Sequence, residues 1–386
     1  MKRVLLAVAT VLGVTAAALV PAAAGPTPGG FTSDDVEWVT AVPFEPGTAT
    51  GVTIQGKYMY LTSWKNISVY DVSDPTSPEL LDMEPFGFWF ENEDVEVSPD
   101  GDYLFFSESL PQNYLHVWSV EDKSNITPVT SVEGAGGHIF SCVLRCRWGY
   151  STSGAIIDLK DPTKPKIVDG DTWLKLAGIN SGVHDVDEVK KGFIIASTYD
   201  EGGVFVDARN PLKPKVLARG PKPEGKGYII HSADWPNNAK DRYVMMQGEQ
   251  NAQPRCNPEQ NGPFLTYDTT GWKKTGRFEF VDDYAVENGT YQDGSPAVNG
   301  LGCSAHWFTA HPTFRNGGLV TIGYYEHGTR FLDVQSNGKI KEAGWFIPFA
   351  GSTSAAYWVP TDKKQRIVYA VDYTRGIDIL RWNGKF

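Results

Sequence analysis

Four of the seven histidines recur in similar settings: His138 (GGHIFSC), His184 (GVHDVDE), His231 (IIHSADW) and His306 (SAHWFT). Each opens an apolar stretch that reads as a strand. The steps between them are 46, 47 and 75 residues, the longest spanning an enlarged segment. Carboxylates recur at a second phase, as Glu108 (SES), Glu201 (YDEGG), Glu249 (QGEQ) and Glu326, which precedes His327 (YEHG). Asp94 (ENEDVEV) holds the place in the second unit that histidine takes in four others. Neutral imidazoles are good ligands for Cu, Fe, Zn or Mn, and a carboxylate accepting from the second ring N–H fixes the tautomer. One expectation is therefore a single metal ion on His138, His184, His231 and His306. Asp94, Glu108, Glu201, Glu249, Glu326 and His327 would then orient those rings or meet a ligand directly. The other expectation needs no metal, since a wide, wet channel mouth holds histidines bonded to water and backbone carbonyls. His116 and His311 fall outside the series and read as structural.

The elements that must bring these residues together are repeats. Residues 68–81 (SVYDVSDPTSPELL), 155–168 (AIIDLKDPTKPKIV) and 204–217 (VFVDARNPLKPKVL) share one form: an apolar strand ending in Asp, a turn x-x-[DN]-P-x-x-P, then a second apolar run. The Asp side chain can cap the turn amides, and the prolines fix φ and end the ladder. Looser copies end near Ser119, Asp268, Asp333 and Arg381, giving seven units at intervals of 39 to 65 residues. Each unit also holds two earlier strands, as at 94–97 and 102–107 around the turn Ser98-Pro-Asp-Gly101. Four strands per unit, seven units and a period of about 40–50 residues predict an all-β chain, a seven-bladed β-propeller of four-stranded antiparallel blades. The last unit lacks a fourth strand. Residues 36–44 (VEWVTAVPF) have no other partner, so they are expected to complete that blade and close the ring.

On these motifs the chain resembles the LVIVD-repeat family of secreted and surface bacterial proteins. That resemblance implies a propeller and an extracytoplasmic setting, and fixes no activity. Ser119 and Arg381 depart from the family's Asp. The histidine series is also similar in arrangement to the four-histidine iron centre of carotenoid oxygenases, an analogy of architecture alone.

Residues 1–24 read as a signal peptide. Lys2 and Arg3 precede an apolar run to Val20, and Ala22-Ala23-Ala24 offers a cleavage site before Gly25. Residues 25–34 are expected to form a flexible mature N-terminus and 35–386 a single propeller. The formal charge of −11 becomes −13 without Lys2 and Arg3, which argues against nucleic acid. No segment after the leader is apolar enough to span a membrane. Export makes disulfides plausible for Cys142, Cys146, Cys256 and Cys303. The C-x3-C spacing suits a bridge across a tight hairpin. Two insertions, 248–263 and 282–302, carry Cys256 and Cys303 and are expected over the histidine mouth, where a bridge would tie them together. A closed ring points to a monomer. The expected function is a secreted module that binds a small-molecule or protein ligand at this mouth. The alternative is a metal-dependent oxidoreductase. No nucleophile elbow, P-loop, zinc-protease helix or dinucleotide fingerprint is found.

Overall fold

The computed structural model describes residues 29–42, 49–87, 92–109, 111–250, 261–286 and 302–386. The expected signal peptide, Cys256 and most of both insertions lie outside the described residues. Seven antiparallel sheets form the chain, with three short helices among the described residues. Blade 1 holds Ala49–Gln55, Tyr58–Ser63, Asn66–Asp71 and Glu79–Pro85. Blade 4, the most regular, holds Val183–Lys190, Phe193–Thr198, Gly203–Asp207 and Lys215–Gly220. The seven-bladed propeller expected from the repeat is what the structure contains.

The repeated turn works as its residue types dictate. Asp71 Oδ1 accepts from the Ser73 amide at 2.7 Å, and Asp74 Oδ1 accepts from the Thr76 amide at 2.9 Å. Asp158 and Asp161 do the same in blade 3, and Asp207 and Asn210 in blade 4. Gly101, at φ +82°, closes the Ser98 turn by donating to the Ser98 carbonyl at 2.8 Å. Such turns set the strand spacing, and alternation then sends apolar side chains to both faces of each blade. The core accordingly lies between blades. Val52, Met59 and Leu61 of blade 1 pack against Tyr369, Val371 and Ile379 of blade 7, and six similar clusters fill the other junctions.

Closure follows the expected route. Val36–Val42 pairs antiparallel with Gly376–Trp382, with Val36 opposite Trp382 and Val42 opposite Ile377. The Trp38 indole donates to Asp378 Oδ1 at 2.8 Å. A further strand falls inside 25–34, where no element was foreseen. Gly30–Thr32 joins the outer edge of blade 6 against Ile340–Pro348, making that sheet five-stranded. Glycine suits this approach, since a Cβ on Gly30 would sit 2.2 Å from the Ile347 carbonyl oxygen. The segment from Gly30 to Val42 is thus stitched to two neighbouring blades. No helix among the described residues is long and apolar enough to cross a membrane.

Candidate metal centre on the propeller axis

The inner strands converge on the axis, and a local irregularity aims the side chains there. In blade 4 the pairing skips from Val183 to Asp185, and in blade 5 from Ile230 to Ser232. The skipped residues are His184 and His231. The same bulge falls at Ser354 of blade 7 and at position 50 of blade 1. A bulge re-aims one side chain and turns its carbonyl out of the ladder. Both effects are used. The His231 carbonyl lies 3.2 Å from His184 Nδ1, and the Ser354 carbonyl lies 2.8 Å from His306 Nδ1. His138 and His306 come just before the inner strands Phe140–Val143 and Phe308–Ala310.

All four rings meet at one carboxylate. Glu93 Oε2 lies 3.7 Å from His138 Nε2, 3.9 Å from His184 Nε2 and 3.1 Å from His231 Nε2. Glu93 Oε1 lies 3.5 Å from His306 Nε2. Ring centroids step around the axis at 4.7, 3.7 and 4.3 Å. Glu249 approaches from the end of Tyr243–Glu249, at 3.8 Å from both His231 Nε2 and His306 Nε2. The Trp307 indole donates to Glu93 Oε2 at 3.1 Å, and the Tyr325 hydroxyl donates to Glu249. Glu93, His184 and His231 form one group with ligand atoms within 4.8 Å of one another, and His231, Glu249 and His306 form another.

The electrostatics follow from enclosure. Burial alone would raise the Glu93 carboxyl, but the imidazoles of His306, His138 and His231 hold it well below the usual range. Burial, reinforced by the neighbouring rings, holds His184 well below an ordinary histidine. Burial and His306 likewise lower His231, against the pull of Glu249 and Glu93. Because a carbonyl only accepts, the Nδ1 atoms of His184 and His306 carry the ring protons. His184, which burial holds neutral, then turns its Nε2 lone pair toward the Glu93 carboxylate. Lone pairs facing an anion repel it unless a cation lies between them.

The other expected residues separate. Glu93, which sequence reasoning missed, occupies the axial place expected of Asp94. Asp94 faces a second, acidic tier, where burial and the charges of Glu96, Asp187 and Glu93 push its carboxyl well above the usual range. Burial likewise raises Glu96, to about 7. The signal available was weak, because the ENED run offers two adjacent acids and nothing in their types distinguishes them. Glu108 binds His116 Nε2 at 3.2 Å within blade 2. Glu201 accepts from the Asn180 amide and pairs with Arg219. Glu326 and His327 are buried in the blade 6 turn, with His327 Nδ1 3.5 Å from Arg330. Of the six residues expected around the rings, Glu249 lies 3.8 Å from two of those rings. His311, outside the series, meets the Gln365 carbonyl at 2.9 Å.

Cys142 and Cys146 form a disulfide with a Cα separation of 4.4 Å, closing the turn between two strands of blade 3. Cys303 is disulfide-bonded, and its expected partner Cys256 lies outside the described residues. Residues 282–284, expected in the second insertion, instead finish the outer strand Glu279–Tyr284 of blade 5.

The LVIVD repeat family model matches residues 46–82, the span of blade 1 up to its outer strand. The repeat that the chain resembles is therefore present, on a seven-bladed propeller. A comparison with curated proteins finds no match.

Proposed function

We propose that this protein is an exported propeller that binds one first-row transition-metal ion on its axis. The ligands are Nε2 of His138, His184, His231 and His306, with Glu93 as an oxygen ligand or counter-charge. The observation that carries this reading is the pair of tautomer locks. His184 and His306 each commit Nδ1 to a carbonyl released by a bulge, which leaves both Nε2 atoms facing one buried carboxylate. The donor set of imidazole nitrogen and carboxylate oxygen suits Cu, Zn, Fe or Mn, whereas Ca and Mg prefer oxygen alone. Tyr325 and Trp307 hold the two carboxylates in place, as outer partners do around metal sites. The disulfide in blade 3 agrees with an oxidising compartment, and the closed ring with a monomer. Substrate or ligand would enter from the mouth at which the histidines lie.

The test is the metal content of the mature chain, purified without a histidine tag and reconstituted separately with Cu, Zn, Fe and Mn. About one ion per chain is expected. His184→Ala with His231→Ala should abolish it, and Tyr325→Phe should weaken affinity about 10-fold by releasing Glu249. A chain that takes up no metal, or takes it up equally without those histidines, removes the proposal.

A further inference from the structure

We propose that the face opposite the histidines carries a second binding site, between blades 4 and 5, for a small planar aromatic anion. A cavity of about 610 Å³ opens there. Its walls are aromatic rings held at fixed angles. Phe205 and Trp235, each 3% exposed, form the back. Trp272 stands edge-on to Phe205 at 5.3 Å and to Trp235 at 6.0 Å. Phe193 stacks on the other side of Phe205 at 5.9 Å. Phe193 and Trp272 are half-buried, so each keeps ring surface for a guest. Offset or edge-on packing against such rings favours a flat aromatic body.

The rim supplies the charge. Lys190, Lys240, Lys273 and Lys274 line the opening. The lysine ion pairs among the described residues are those of Lys57, Lys175 and Lys339, none of them here. Asp241 is the one carboxylate in the lining, and it is buried, accepting from the Asn316 amide and from Asn237. A chain of formal charge −11 thus gathers four uncompensated ammonium groups around one aromatic cavity. Two of them already lie beside the rings, with Lys190 Nζ 5.2 Å from the Phe193 centroid and Lys273 Nζ 5.8 Å from Trp272. An aromatic guest between those rings would present its carboxylate or sulfonate to the lysines. Lys190 ends the inner strand that His184 begins, so the cavity lies about 20 Å from the axial centre at ~3.3 Å per residue. The two sites share no residue and fail or stand separately.

The experiment is calorimetric titration of the tag-free protein with 2-naphthoate and with the neutral 2-naphthamide. Naphthoate is expected to bind with a Kd of about 0.1–1 mM, as a ligand of this size allows. The amide should bind at least ~5-fold more weakly, since it forgoes the charge attraction. Lys273→Gln with Lys274→Gln, two exposed positions whose change leaves the fold intact, should weaken naphthoate about 5-fold or more and leave the amide unchanged. Trp272→Ala should weaken both ligands, with thermal melting run in parallel to show that each variant is folded. Absence of naphthoate binding up to about 10 mM, equal binding of acid and amide, or undiminished binding in the double lysine variant would each overturn the proposal.

Discussion

Asp234→Asn should stabilise the protein, and more so as pH rises. Asp234 ends the inner strand Ile229–Asp234 of blade 5, at the mouth opposite the histidines. It shares a pocket with Asp187, Glu188, His311 and Arg315. Burial, with the charges of Asp187 and Asp241, raises its carboxyl from 3.8 to about 7. Between those values the folded chain holds a proton that the unfolded chain has released. Stability therefore falls as pH climbs through this window, by up to ~1.4 kcal/mol per unit. The full window sets a ceiling of about 4 kcal/mol above neutrality, and solvent access to the half-buried side chain reduces this to about 1–3 kcal/mol. Asparagine has the same shape and no proton to lose, so the variant should be flat across the window. Urea unfolding at about pH 5 and about pH 8 reads the difference directly from the midpoints. The variant should gain 1 kcal/mol or more, in round numbers about 1–2, at the higher pH relative to the lower. An equal gain at both, or a loss at the higher pH, would refute the argument that this carboxyl is enclosed and repelled.

Two further outcomes follow from the fold. Replacing Cys142 and Cys146 by serine opens a disulfide of sequence separation 4, and should cost about 2 kcal/mol of unfolding free energy on the loop-entropy account. Gly30→Val places side-chain atoms against the Ile347 carbonyl. It should detach the fifth strand of blade 6, speed hydrogen exchange at the paired amides of Phe31 and Ile347, and cost about 1–2 kcal/mol.

Much of the fold was legible because the repeat writes its own chemistry. The Asp71, Asp158 and Asp207 turns announce themselves by Asx capping and proline. The unpaired last blade announces its partner at Val36–Val42. The histidines were legible as a phase, since recurrent positions in a ring must share a depth. What sequence concealed was any feature set by tertiary contacts and not by the repeat itself. Glu93 and Asp94 are adjacent acids just before the blade 2 inner strand, and only the folded ring decides which one meets the rings. Glu108 is in phase with Glu249, yet His116 of its own blade captures it. The strand at Gly30–Thr32 has too few residues to show a period, and exists because blade 6 offers a free edge.

The bulges at His184, His231 and Ser354 make the axial residue supernumerary to the sheet. Every rung of the ladder is satisfied without it, so its identity is released from strand propensity and pairing. One scaffold position per blade can thus vary in chemistry while the framework around it stays constant. That separation lets the ring carry imidazole in some sectors and hydroxyl in others, and it marks Ser354 as the place to graft another ligand without redesigning a blade.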